Sequence, residues 1–141
     1  MATEAPLLHH SQCTAGEDLS ATGARAGFNG TGQFLVMSLT AARSVVRPAS
    51  ATVLQVGILQ NDPISGFVAD IGFLGVSKVI LGTVTSIVFG SPLMAMADGS
   101  GRVILGVTFV SNFAVGYVID IAGSPAINQV ITAMVFPAVL D

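Results

Sequence analysis

From Arg47 to Asp141 apolar residues dominate, and Gly, Pro or Asp-Gly interrupts them roughly every eight to twelve residues. Between Lys78 and Asp98 no residue carries an ionisable side chain. That run is long enough for a membrane helix, but its texture is different. It is rich in Val, Ile and Thr, carries Gly82 and Gly90, and turns at Gly90-Ser91-Pro92. β-Branched residues fit a pleated sheet, and Gly, Ser and Pro clusters punctuate strands. The pattern therefore predicts short strands buried on both faces, some of them against neighbouring subunits.

Read along the chain, the pattern predicts strands over residues 33–40, 44–47, 52–59, 67–73, 75–81, 83–89, 93–96, 102–110, 113–121 and 129–136. Pro137 is expected to stop the last of them. Between strands lie Pro48-Ala49-Ser50, Asn61-Asp62-Pro63, Ser65-Gly66, Ser111-Asn112 and Gly123-Ser124-Pro125, all turn formers. Asp98-Gly99-Ser100-Gly101 is the strongest hairpin signal, because Asp-Gly tolerates the positive φ angles of tight turns. No long window shows helical periodicity without Gly or Pro. Evenly spaced short strands argue for an all-β fold, a compact β-barrel or β-sandwich. Closing the sheet also protects the edges of so apolar a chain. Residues 1–32 differ: they hold several Gly with many Ser, Thr and Ala, and little to bury besides Leu7, Leu8 and Phe28. They read as an extended or flexible N-terminal arm, and residues 33–141 as the folded domain.

Composition sharpens this picture. The chain of 141 residues is 52% hydrophobic and 9% charged, against a usual charged share of about 25%. A soluble monomer with so few charges would expose large apolar patches, which mark interfaces. A membrane protein is the alternative, but the apolar runs are strand-like and no loop is rich in Lys or Arg. The net charge of −3 and the scatter of Arg25, Arg43, Arg47, Lys78 and Arg102 weigh against direct nucleic-acid binding. Arg43 and Arg47 read as two solvated strand-edge charges. Met1–Pro6 lacks a positive segment followed by an apolar one, so the protein is expected to fold where it is made.

The search for chemistry predicts no catalytic, cofactor or metal site. Cys13 is the one cysteine, which excludes an intrachain disulfide. A catalytic thiol needs a positioned base, and nothing in the sequence orders His9 and His10 beside it. No fourth ligand stands at metal spacing from these three. Gly27-Phe28-Asn29-Gly30-Thr31-Gly32 lacks the Gly-Lys-Ser/Thr ending of a phosphate loop and reads as a glycine linker. Asp62 and Asp98 are expected to cap turns. Asp70 and Asp120 fall inside strands, as edge charges or as partners of Arg102 or Lys78. No Gly-x-Ser-x-Gly motif is present, and no His lies beyond residue 10. The eight phenylalanines are spread at strand spacing and read as core or subunit-interface residues.

One order of motifs is familiar. It runs Val56-Gly57-Ile58-Leu59-Gln60-Asn61-Asp62-Pro63, Gly66, Ala69-Asp70-Ile71 and Gly75-Val76-Ser77-Lys78-Val79. It continues through Gly90-Ser91-Pro92-Leu93, Asp98-Gly99-Ser100-Gly101-Arg102, Ala114-Val115-Gly116-Tyr117-Val118 and Val130-Ile131-Thr132-Ala133-Met134-Val135. This segment resembles the small β-rich capsid decoration (cement) proteins of tailed bacteriophages. The resemblance implies a non-enzymatic homotrimer, made in the host cytoplasm and placed on the outer capsid surface of the virion. There it would bridge major capsid protein subunits and resist internal DNA pressure. It implies no direct contact with nucleic acid, membrane or small-molecule substrate. Other readings stay open: a tail-tube or head-fibre-base component, a small membrane-associated protein, or a small-ligand barrel.

Overall fold

The computed structural model describes residues 8–20, 32–41, 43–83, 86–106 and 112–140. These form nine strands and no helix. They are β1 (Leu8–Ala15), β2 (Val36–Ala41), β3 (Ser44–Val46), β4 (Gln55–Leu59), β5 (Val68–Ile80), β6 (Pro92–Ala95), β7 (Val103–Leu105), β8 (Asn112–Asp120) and β9 (Val130–Leu140). No helix among the described residues is long and apolar enough to cross a membrane.

The strands pair in the order β1-β3-β2-β4-β5, and β5 pairs back with β1, closing a five-stranded barrel. β1 runs parallel to β3, and the other barrel pairings are antiparallel. β5 is the shared element. Its first half lies in the barrel, opposite β1 and β4, and residues 75–80 pair with residues 130–135 of β9. From there the sheet continues β9-β8-β6-β7, all antiparallel. A parallel bridge from Leu81 to Val103 brings β7 back beside the end of β5.

Two apolar clusters fill this frame. One, inside the barrel, contains Cys13, Ala15, Leu19, Met37, Val45, Leu59, Ala69 and Ile71. The other lies under the second sheet and contains Val36, Ile58, Val79, Leu81, Leu93, Val118, Ala133 and Val135. Neighbouring residues on β2 and β4 point to opposite clusters, Val36 and Ile58 to one and Met37 and Leu59 to the other, so this wall is apolar on both faces. The absence of charged residues from these two strands fits that double burial. Phe34 packs against both clusters.

The all-β barrel expectation holds, and several local expectations are corrected. The strands expected over 67–73 and 75–81 are one continuous strand, because Gly75 stays in the ladder opposite Val135. No strand forms over the described part of 83–89; Ile87 is buried in the second cluster without a ladder partner. Pro137 does not stop β9. The register passes from Gly116↔Val135 to Ala114↔Ala138, so Phe136 and Pro137 stand opposite Val115 alone. A bulge of this kind accommodates proline, whose missing N–H has no ladder partner to supply. The extended arm expected over 1–32 is corrected over residues 8–20. Leu8–Ala15 is a wall of the barrel, with Cys13, Ala15 and Leu19 in its core. The rest of that arm, apart from Gly32, lies outside the described residues. The predicted hairpin forms at Asp98–Gly101, closed by the Met96 amide donating to the Arg102 carbonyl at 2.8 Å.

Candidate interaction surface

Aliphatic side chains fill the core; among the described phenylalanines Phe34 packs against both clusters. Phe67 and Phe89 are 62% and 76% exposed. Phe34, Phe73, Phe113 and Phe136 are half-buried. Phe28 and Phe109 lie outside the described residues. Of the two roles expected of the phenylalanines, Phe34 takes the core one, and Phe67 and Phe89 stand on the surface. Aromatic side chains are enriched where one protein surface meets another.

The exposed aromatics stand on braced turns. Around Val88 and Phe89, the Gly90 amide donates to the Val118 carbonyl at 2.8 Å, and the Val118 amide donates to the Ser91 carbonyl at 3.0 Å. The Val88 amide donates to Ser91 Oγ at 3.0 Å. On the adjoining outer face of the second sheet, Val76 pairs with Met134, Met134 with Tyr117, and Tyr117 with Pro92, a row across four strands. The Tyr117 ring lies 5.2 Å from that of Phe136. At the barrel, the turn carrying exposed Ile64, Phe67 and Val68 is tied to the first strand. Gly66 donates to the Ala15 carbonyl at 2.7 Å, Ala15 to the Phe67 carbonyl at 2.8 Å, and Leu19 to the Pro63 carbonyl at 2.9 Å. Surface groups held in place this way lose little freedom on binding.

The charged residues are dispersed. Arg47 is not the solvated charge expected of it; it forms a two-pronged ion pair with Glu17. Arg43 is exposed, in the turn between β2 and β3, with φ at 64°. Arg102 pairs with Asp98 at 3.0 Å. Lys78 Nζ sits 5.9 Å above the Phe34 ring, a cation–π contact. Asp98 caps its turn as expected, its Oδ1 accepting from the Ser100 amide, whereas Asp62 Oδ1 accepts from the amide of Gln33 in a distant segment. The Asp70 amide is held by Asn61 Oδ1 at 2.9 Å, and Asp120 is exposed at the end of β8. Cys13 lies inside the barrel, where burial pushes its thiol up and Arg43 opposes the shift. Among the described residues no group of three or more His, Cys, Asp or Glu could hold a metal.

The sequence did not reveal which aromatics face solvent, because strand periodicity does not say which face of a two-cluster wall is the outer one. No protein-family model and no curated protein matches the chain. Among solved structures, its fold is shared with the N base of the head fibre protein gp8.5 of bacteriophage phi29. The likeness has a TM-score of 0.60 at 12% identity and covers 92% of this chain and 94% of that one.

Proposed function

We propose that the chain is a structural protein of a phage virion that sits on the outer face of the head and bridges major capsid subunits as a homotrimer. The observation that carries this reading is the pair of exposed phenylalanines, Phe67 and Phe89, each on a turn braced by backbone hydrogen bonds. Sharing nearly its whole length with the fold of a head-fibre base supports a place on the head. Burial of apolar surface contributes roughly 25 cal/mol per Å² before association costs. An oligomer that touches several shell subunits adds avidity, since its second and third contacts are intramolecular.

A second reading is favoured by the same neighbour, which is described as the base of a fibre. The chain would then anchor a projection to the head without bridging subunits. One experiment separates the two. Purified protein is mixed with heads lacking it, and both sedimentation with the heads and the heads' thermal rupture temperature are followed. Attachment with a raised rupture temperature supports bridging; attachment with an unchanged one supports the anchor. The double variant Phe67→Ser/Phe89→Ser is expected to stay folded and bind heads at least about tenfold more weakly. No attachment by the wild-type protein would overturn both readings.

A further inference from the structure

One end of the five-stranded barrel contains a cavity of about 380 Å³, open to solvent on one side. Four barrel strands line it, with Cys13 from β1, Leu39 from β2, Val56 from β4, and Ile71 and Phe73 from β5; Pro137 of β9 completes the wall. The described lining residues are apolar apart from the thiol. One described cation, Arg43, lies near the lining residue Cys13. Arg43 follows Leu39 in the β2–β3 turn, and its carbonyl accepts from the Thr14 amide at 2.7 Å and the Thr14 hydroxyl at 3.3 Å. This seats the Arg43 backbone beside Thr14, the residue after Cys13, and the Arg43 charge acts on the Cys13 thiol. Of the described carboxylates, Glu17 is held by Arg47 and Asp98 by Arg102, and none pairs with Arg43.

We propose that this cavity is a socket for a partner protein, which inserts one large apolar side chain while a carboxylate on the same segment meets Arg43. The volume falls within the span of roughly 300–1,000 Å³ typical of ligand sites. The open side favours a side chain entering from a chain that stays outside, since a small ligand is normally enclosed over most of its surface. An anchor in a desolvated pocket with a charge at its rim is how interfaces concentrate affinity. The identity of the partner, a shell subunit, rests on the function proposed above; the chemistry of the socket does not.

The test uses the isolated full chain and three capped dipeptides, acetyl-Asp-Phe-amide, acetyl-Asn-Phe-amide and acetyl-Asp-Ala-amide, with decanoate as a fourth probe. Methyl resonances of Leu39, Val56 and Ile71 report binding. Asp-Phe is expected to shift them saturably. Replacing Asp by Asn, or Arg43→Gln in the protein, weakens binding about fivefold, the worth of roughly 1 kcal/mol in a rim ion pair. Asp-Ala leaves the methyls unmoved, and Val56→Phe, which fills the cavity, abolishes the response. No shift at saturating Asp-Phe, or equal shifts by Asp-Phe and Asn-Phe with Arg43→Gln silent, overturns the proposal. Decanoate binding far more tightly than any dipeptide overturns it in favour of a small amphiphile. A chain that binds Asp-Phe as expected but ignores heads would instead refute the function and leave the socket standing.

Discussion

Arg47 grips Glu17 with three hydrogen bonds. Nη2 lies 2.7 Å from Oε2, while Nε and the Arg47 backbone amide both donate to Oε1, at 3.0 and 2.7 Å. The Arg47 side chain is 9% exposed and that of Glu17 is 27% exposed. The pair ties the segment after β1 to the end of β3, beside the one parallel pairing of the barrel. Removing one partner strands the other, so Glu17→Ala is expected to cost about 2–4 kcal/mol in urea unfolding. Asp98→Ala, which loses the more exposed i,i+4 pair with Arg102, is expected to cost about 1 kcal/mol or less. Equal costs would mean that the Glu17 contact is no stronger than a surface pair.

The crossing of β8 and β9 depends on a glycine. A Cβ at Gly116 would fall on the Met134 carbonyl oxygen, deep inside van der Waals contact with backbone that cannot swing aside. Gly116→Ala is therefore expected to destabilise by about 3 kcal/mol or more, or to prevent folding. Gly66 offers the contrast. It has open space around it but φ at 84°, so Gly66→Ala meets only the left-handed backbone penalty of about 1 kcal/mol. Thermal melts of the two variants check the difference.

Much of this fold is legible in the sequence. The Asp98-Gly99 turn, the strands of β2, β6, β8 and β9, and the all-β class follow from alternation and punctuation alone. What escaped was β1. His9, His10, Ser11 and Thr14 make it read as polar, and the barrel supplies the backbone pairing that such a segment cannot advertise. Gly75 misled as a break because a glycine inside a strand looks the same in sequence whether or not the ladder continues through it. Strand spacing fits the phenylalanines to core or interface alike; the two-cluster arrangement puts Phe34 against the core and leaves Phe67 and Phe89 exposed.

Acid should weaken the protein through two turn carboxylates. For Asp98, burial pushes the carboxyl up, but the Ser100 hydroxyl and amide together with Arg102 outweigh it and hold the group below the ordinary value. For Asp18, hydrogen bonds from the Ser20 hydroxyl and amide do the lowering. A carboxylate with a depressed folded value stabilises the fold above its unfolded value, near 3.9. That contribution disappears as pH falls through the folded value. Wild type and Asp98→Asn are thus expected to differ in stability at pH 6 and to converge as pH falls through the depressed folded value. Curves that stay parallel through acid titration would count against the assignment.

Cys13 should titrate in the opposite sense. Burial raises its thiol above the usual range and Arg43 partly offsets the rise. A group with a raised folded value contributes stability below its unfolded value and loses it as pH climbs through the folded one, so the effect falls in the alkaline range. Since the thiolate is the reactive form, iodoacetamide at pH 8 is expected to modify native Cys13 at least about tenfold more slowly than the unfolded chain. Arg43→Gln should slow it further, because the cation that favours the thiolate is gone. A faster reaction in Arg43→Gln would mean that the arginine shields the thiol rather than acting on its charge.

Gln55 sits fully buried on β4, opposite Ser38. Its Nε2 reaches the Ala51 carbonyl at a long 3.4 Å, and its Oε1 takes no hydrogen bond from the protein. A buried acceptor without a donor costs about 1–3 kcal/mol, whereas methionine fills similar space with no such requirement and adapts to irregular gaps. The Ala51 carbonyl keeps its bond from the Phe113 amide at 3.0 Å when the weak Gln55 contact is removed. Gln55→Met is therefore expected to raise stability by about 1 kcal/mol, visible as a higher urea midpoint with an unchanged slope. Gln55→Ala removes the same polar atoms but leaves a cavity, and should fall below wild type. If methionine also lowers the midpoint, the amide must make a stabilising contact through its nitrogen that outweighs the unmet oxygen.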